Sequence, residues 1–220
     1  MKQILSPQTL FPSKNFFEIN LDAELKNQAL TGTSIKGAKD KQTFITKLHE
    51  DHAIKVGDGK QYISYGGWGE DRSFMWADTY MSKSKTFTHL GVDINVPKGT
   101  SVTLPFDTLV VDARTDPDTD VGWGTRLVVV PINAEENPAI VLGHLAPEVP
   151  TVGTVIGAGA KLATIGTFPE NGNVFEHLHI QLITPECIRA NTQLFETLDG
   201  YGFKDELKHY PDPLATLFTI

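Results

Sequence analysis

HLHIQLI, residues 177–183, decides the fold class of this chain. Apolar and polar residues alternate along it, the period-2 pattern of a β-strand, in which residues two apart face the same way. His177 and His179 therefore project together. Six more segments share its character: VDINVP (92–97), TSVTLPF (100–106), TLVVDAR (108–114), TRLVVVP (125–131), AIVLGHL (139–145) and KLATIG (161–166). They are short, rich in β-branched residues and divided by Gly, Pro, Asn or Asp. No helical periodicity interrupts them. A mainly β unit of about seven strands or more is expected, a sandwich or barrel-like core.

Outward from this unit the character changes. DAELKNQAL (22–30) and KDKQTFITKLHEDHA (39–53) have helical composition, the second with Phe44, Ile45 and Leu48 at helical spacing. His49 and His52 stand three apart there, and KLHEDH reads as a solvated polar face rather than a ligand pair. QYISYGGWGEDRSFMWADTY (61–80) is rich in glycine and aromatics and is expected to be a structured loop near the site. Tyr65, Trp68, Trp76 and Tyr80 are candidates either for the walls of a groove or for core packing, Tyr80 also for an oxyanion donor, and Glu70 with Arg72 for an ion pair. CIRANTQLFETL (187–198) reads as a helix. The expected organisation is an N-terminal extension (1–84) packing on a β domain (85–185), with a tail (186–220) returning to the same core.

The 220 residues carry a formal charge of −8 and no basic run, which argues against nucleic-acid and anionic-membrane partners. No segment approaches the roughly 20 apolar residues of a membrane span, and the first residues lack the apolar run of a signal peptide. A cytoplasmic location is the expectation. Cys187 is the sole cysteine, so no internal disulfide forms and a cysteine-rich structural zinc shell is excluded.

Three short motifs carry chemistry: HLGVD (89–93), GHL (143–145) and HLH (177–179). They offer five groups, His89, Asp93, His144, His177 and His179. Two imidazoles and a carboxylate are a ligand set that binds zinc and leaves a fourth position open for water. Three groups suffice for the metal, so two histidines are left for acid–base or oxyanion work.

At these residues the chain resembles the lysostaphin/LytM-type zinc metallopeptidases, which have a duplicated-hybrid-motif β fold. The resemblance runs from about His89 to Ile183 and includes HLGVDINVPKGTSVTLPFDTLV, GHLAPEVPTVGTVIGAGAKLATIG and the HLH of EHLHIQL. It implies one zinc ion per chain held by His89, Asp93 and His179, with His144 and His177 as the catalytic histidines. It further implies hydrolysis of peptide amides, with a peptide or peptidoglycan fragment as substrate. The family commonly has Gly-Pro before its HLH and Phe-Glu after it. Here Phe175-Glu176 precede and Ile180-Gln181 follow, which places an extra charge, Glu176, beside the expected site.

Two other classes are weighed against a hydrolase. One is a non-catalytic or latent binding module, such as an activator of other hydrolases, which would gain if the N-terminal segment plugged the groove and supplied a carboxylate or amide as a fourth ligand. A phosphocarrier of the glucose-type sugar phosphotransferase kind shares the general architecture and a histidine followed by Gly-x-Asp, but leaves His144, His177 and His179 unexplained.

Overall fold

The computed structural model describes residues 2–31, 34–35, 37–77, 80–83, 85–117, 122–132 and 136–219, with Tyr80 and Met81 described by their backbone alone. Its centre is an eight-stranded sheet in the spatial order Val155–Ile156, Thr108–Thr115, Thr125–Pro131, Ala139–Leu145, Leu178–Ile183, Val92–Ile94, Tyr62–Gly66 and Asn15–Glu18. Every pairing is antiparallel except the last. Smaller two-stranded pairs join Ser101–Thr103 to Lys161–Thr164, Thr88–His89 to Tyr201–Gly202, and Lys2–Ile4 to Leu217–Thr219. The fold is mainly β, as the alternation and β-branched runs lead one to expect. Among the described residues no helix is long and apolar enough to cross a membrane.

The pleat divides the central strands into two faces. Val92, Ile94, Leu178, Ile180, Leu127, Val129, Ile140 and Leu142 turn one way into the principal core. Leu178, Ile180 and Leu182 are fully buried, each worth roughly 1.5–3 kcal/mol of transfer free energy. On the neighbouring strands His179 stands directly opposite both Asp93 and Gly143. The opposite face of the sheet therefore receives Asp93, His179 and Gln181, polar groups at the register positions between core residues.

Three segments differ from expectation. Tyr62–Gly66 is a strand of the main sheet, so the loop begins only at Gly67. Its Ile63 and Tyr65 pack against the core, which outweighs the glycines that follow. The single helix expected over 187–198 is two short ones, Pro185–Ala190 and Leu194–Thr197. Asn191 breaks it: its side-chain oxygen accepts from the Gln193 amide, offering the backbone a turn in place of a helical bond. The long helix, Ala38–Val56, exceeds its expected length and stops at Gly57 in the left-handed region, φ 70°. His49 and His52 on it are only partly exposed and both are partnered. His52 stacks on Phe17, with ring centroids 3.8 Å apart, and His49 Nε2 accepts from the Ser64 amide at 3.0 Å.

Candidate metal centre

His89, Asp93 and His179 converge on the polar face, all at most 3% exposed. His89 ends its strand, Asp93 lies on the next, and His179 faces Asp93 across the ladder. His179 Nδ1 lies 3.1 Å from His89 Nε2 and 3.1 Å from Asp93 Oδ1, and His89 Nε2 lies 3.4 Å from the same carboxylate oxygen. Gly91 is what lets the strands close: a Cβ there would meet His179 Nε2 at 2.5 Å and the Ile180 carbonyl at 2.6 Å.

The outer partners settle where the ring protons are. His89 Nδ1 faces the Gly67 carbonyl at 3.1 Å, which can only accept, so this nitrogen donates and Nε2 is left with its lone pair. His179 Nε2 faces Gln181 Oε1 at 3.1 Å, while the Gln181 amide nitrogen donates to the Asp199 carbonyl at 3.3 Å. His179 Nε2 thus donates, and Nδ1 carries the free lone pair. Burial first, and the Arg72 charge second, push His89 down to about 3, so its ring is neutral. Burial opposes ionisation of Asp93, but the Arg72 guanidinium beside it holds its carboxyl well below the usual carboxylate range. Two lone pairs and an anionic oxygen therefore point at one another with no proton between them. Such a cluster is repulsive without a cation.

The dimensions fit zinc. Ligand atoms about 2.0–2.1 Å from a tetrahedral zinc lie about 3.3 Å from one another. The observed separations of 3.1, 3.1 and 3.4 Å match that edge. Each ligand is also oriented from behind, as metal-binding imidazoles are.

The two remaining histidines flank the cluster. His177 precedes its strand, its Nδ1 donating to the Phe175 carbonyl at 2.8 Å and its Nε2 3.4 Å from Asp93 Oδ1. His144 sits at a bulge, where the pairing between Thr125–Pro131 and Ala139–Leu145 shifts register. Its φ of 61° is left-handed, an unusual state for a residue with a Cβ that costs of order 1–3 kcal/mol. Strict alternation would have sent this ring to the core side with Leu142. The bulge turns it towards the cluster instead, with its centroid 4.4 Å from that of His177. His144 Nδ1 donates to the Asn171 carbonyl at 2.8 Å, leaving Nε2 free. Burial, then the neighbouring His177 and His179, hold His144 well below the ordinary histidine range, so it is a neutral base.

Several groups around the cluster were not read from the sequence as part of it. Arg72 is buried and donates to Asp93 Oδ2 at 2.6 Å, to Tyr201 Oη at 3.2 Å and, through Nε, to Glu70 Oε2 at 3.1 Å. The expected Glu70–Arg72 pair exists, and its cation fixes the carboxylate so that Oδ1 alone faces the histidines. Tyr201 packs beside His89 at 5.2 Å between centroids, and burial pushes its phenol up to about 12. Trp123 stands edge-on to His179 at 5.0 Å. These groups border a cavity of about 270 Å³ that also touches Lys41, Trp76 and Leu198. Of the expected groove aromatics, Trp76 lines it. Tyr65 joins the core, and Trp68 donates its indole N–H to the Tyr210 carbonyl instead. The Tyr80 side chain lies outside the described residues. Glu176 is not a charge of the site: its oxygens accept from the Lys98 amide and the Thr167 hydroxyl, tying two loops together.

No protein-family model and no curated protein sequence matches the chain. Among solved structures it is similar to the catalytic domain of a mutant of the prophage-encoded M23 protein EnpA from Enterococcus faecalis, at 17% identity over 57% of this chain and 76% of that one, with a TM-score of 0.39. It is similar to the catalytic domain of the antimicrobial peptidase lysostaphin from Staphylococcus simulans, at 23% identity over 45% and 69%, TM-score 0.38. A zinc-containing peptidase from Vibrio cholerae shares 24% identity over 45% of this chain and 28% of that one, TM-score 0.37.

Proposed function

We propose that this chain is a zinc-dependent hydrolase of peptide amide bonds, with His89 Nε2, Asp93 Oδ1 and His179 Nδ1 as the metal ligands. The observation that carries the reading is their separation of 3.1 to 3.4 Å with both imidazole lone pairs turned inward. A zinc ion held there supplies a Lewis acid and lowers the pKa of a water to near 7. The chain does the rest. His144 Nε2, neutral and unpartnered by its backbone bond, accepts the proton of the attacking water and returns it to the leaving nitrogen. His177, beside it, turns its own Nε2 lone pair to the cavity and orients the attacking water. Trp123, Trp76 and Phe175 exclude water around the scissile bond. A peptide or peptidoglycan-type fragment is the substrate class that suits a cavity of about 270 Å³ whose walls include Trp76, Trp123, Phe175 and Tyr201.

The latent-module alternative would gain from an N-terminal segment that plugged the site with a carboxylate or amide. Among the described residues that segment instead gives a guanidinium and a wall, and the cavity stays open. The test is elemental mass spectrometry of the purified protein, followed by the zinc-loaded protein on a panel of short peptides and cell-wall fragments. About one zinc per chain together with cleavage supports the reading. Failure to take up zinc, or a zinc-loaded protein that cleaves nothing, overturns it.

A further inference from the structure

The Ala38–Val56 helix turns one stripe to the interior, and its buried members are Ala38, Lys41, Phe44, Ile45 and Leu48. They recur at the three- and four-residue spacing of a core-facing helix, and one of them is a lysine. A lysine in such a register usually threads its ammonium back to water. Lys41 does not. It is 8% exposed and enters the cavity beside the histidine–aspartate cluster, its Nζ 4.6 Å from the centre of the Trp76 ring.

No carboxylate of the described residues lies within 4 Å of it, and burial alone acts on its pKa, lowering it to about 8. The other cation of the cavity, Arg72, is already held between Asp93 and Glu70. An ammonium taken out of water without an anion is unfavourable, and the face of one indole offsets only part of that. A negatively charged group brought in by a ligand would complete the environment.

We propose that Lys41 binds a carboxylate of the substrate, so that the site takes short peptides bearing a free carboxylate near the scissile amide. This rests on the hydrolase reading above. Contacts of 4.6, 5.7 and 5.2 Å lead from Lys41 Nζ through Trp76 and Tyr201 to His89. The ammonium is thus at most about five residues of extended chain from the metal ligands. A terminal carboxylate and a glutamate or aspartate side chain would make the same charge-assisted bond.

The test takes peptides of three to five residues in three forms: free C-terminus, C-terminal amide, and C-terminal amide with one glutamate. The zinc-loaded full chain should favour a carboxylate-bearing form by about tenfold or more, chiefly through KM. The form preferred identifies the source of the carboxylate. Lys41→Met, which suits an apolar helix stripe, should level the forms, and Lys41→Arg should keep the preference. A preference that survives in Lys41→Met, or equal use of all forms by the wild type, overturns the assignment. If the wild type cleaves no peptide, the hydrolase reading fails first, and calorimetry with triglycine and triglycine amide then judges Lys41 by itself. Wild-type binding of triglycine about tenfold tighter than that of the amide, lost in Lys41→Met, upholds the assignment. Equal affinities sink it.

Discussion

His177 and His179 on one side, His49 and His52 on the other, are pairs two and three residues apart in sequence that end in opposite situations. The first pair borders the metal centre; the second packs a helix against a strand. Burial alone does not separate them, since His49 is well covered too. The difference lies in what each ring does with its two nitrogens. His177 and His179 give a proton to a carbonyl or amide oxygen behind them and keep a lone pair towards the cavity. His49 spends its Nε2 lone pair on the Ser64 amide at 3.0 Å, with the Ser64 hydroxyl 2.8 Å away, and pairs with no carboxylate of the described residues. A ring whose proton is held from behind is ready for a metal, and a ring whose lone pair is occupied is a structural prop.

The sharpest way to break this comparison is to remove a ring from the first pair. His179→Ala deletes one of the three proposed ligands and should reduce bound zinc from about one per chain to none, with hydrolysis lost as a consequence. Elemental analysis after dialysis against micromolar zinc decides it. Full retention of zinc would mean that His179 is not a ligand. Next in size is His144→Ala. It should keep the zinc and lower kcat by 10²- to 10⁴-fold, the range of a positioned general base. Equal zinc loss in the two variants would erase the division between ligand and base.

How much of this was legible follows from the same rings. Strand alternation put His177 and His179 on one face, and the β-branched runs announced the sheet that holds them. Alternation also reaches Gln181, two residues beyond His179, so the partner that fixes the ligand tautomer was available to the same rule and was passed over. His144 was recognisable as a type of residue but not as a direction, because its approach depends on a bulge and a left-handed backbone. The Asp93 contact of Arg72 and the place of Tyr201 were out of reach. Arg72 meets Asp93 across 21 residues and Tyr201 meets Arg72 across 129, contacts made by tertiary packing that no local pattern encodes. Glu176 misled because proximity in sequence to a histidine says nothing of where its own carboxylate is satisfied.

Gln181 offers the third test, a change at the oxygen behind a ligand. Gln181→Leu preserves bulk but removes the acceptor of the His179 Nε2 proton. Zinc affinity should weaken by about 10- to 100-fold, the usual consequence of losing such a partner, and a competition titration against a chromophoric chelator measures it. An unchanged affinity would show that the backbone alone orients His179.

The smallest effect belongs to the structural pair, and it appears as a pH dependence. Burial, and secondarily the charge of His52, lower His49 to about 4, below the value of about 6.5 for an unfolded histidine. The unfolded chain therefore takes up this proton more readily than the folded one. Above pH 6.5 His49 contributes nothing to the pH dependence. Stability is lost as the pH falls from about 6.5 towards 4. A shift of this size corresponds to roughly 2 kcal/mol once screening of a part-exposed ring is allowed for. His49→Gln keeps an acceptor for the Ser64 amide and does not titrate, so between pH 7 and pH 4 it should lose roughly 2 kcal/mol less than the wild type in urea unfolding. Groups elsewhere in the fold are common to both proteins and cancel in that difference. Identical pH profiles would mean that the His49 ring takes up its proton freely in the folded state, and the contrast between occupied and available lone pairs would then fail at its structural end.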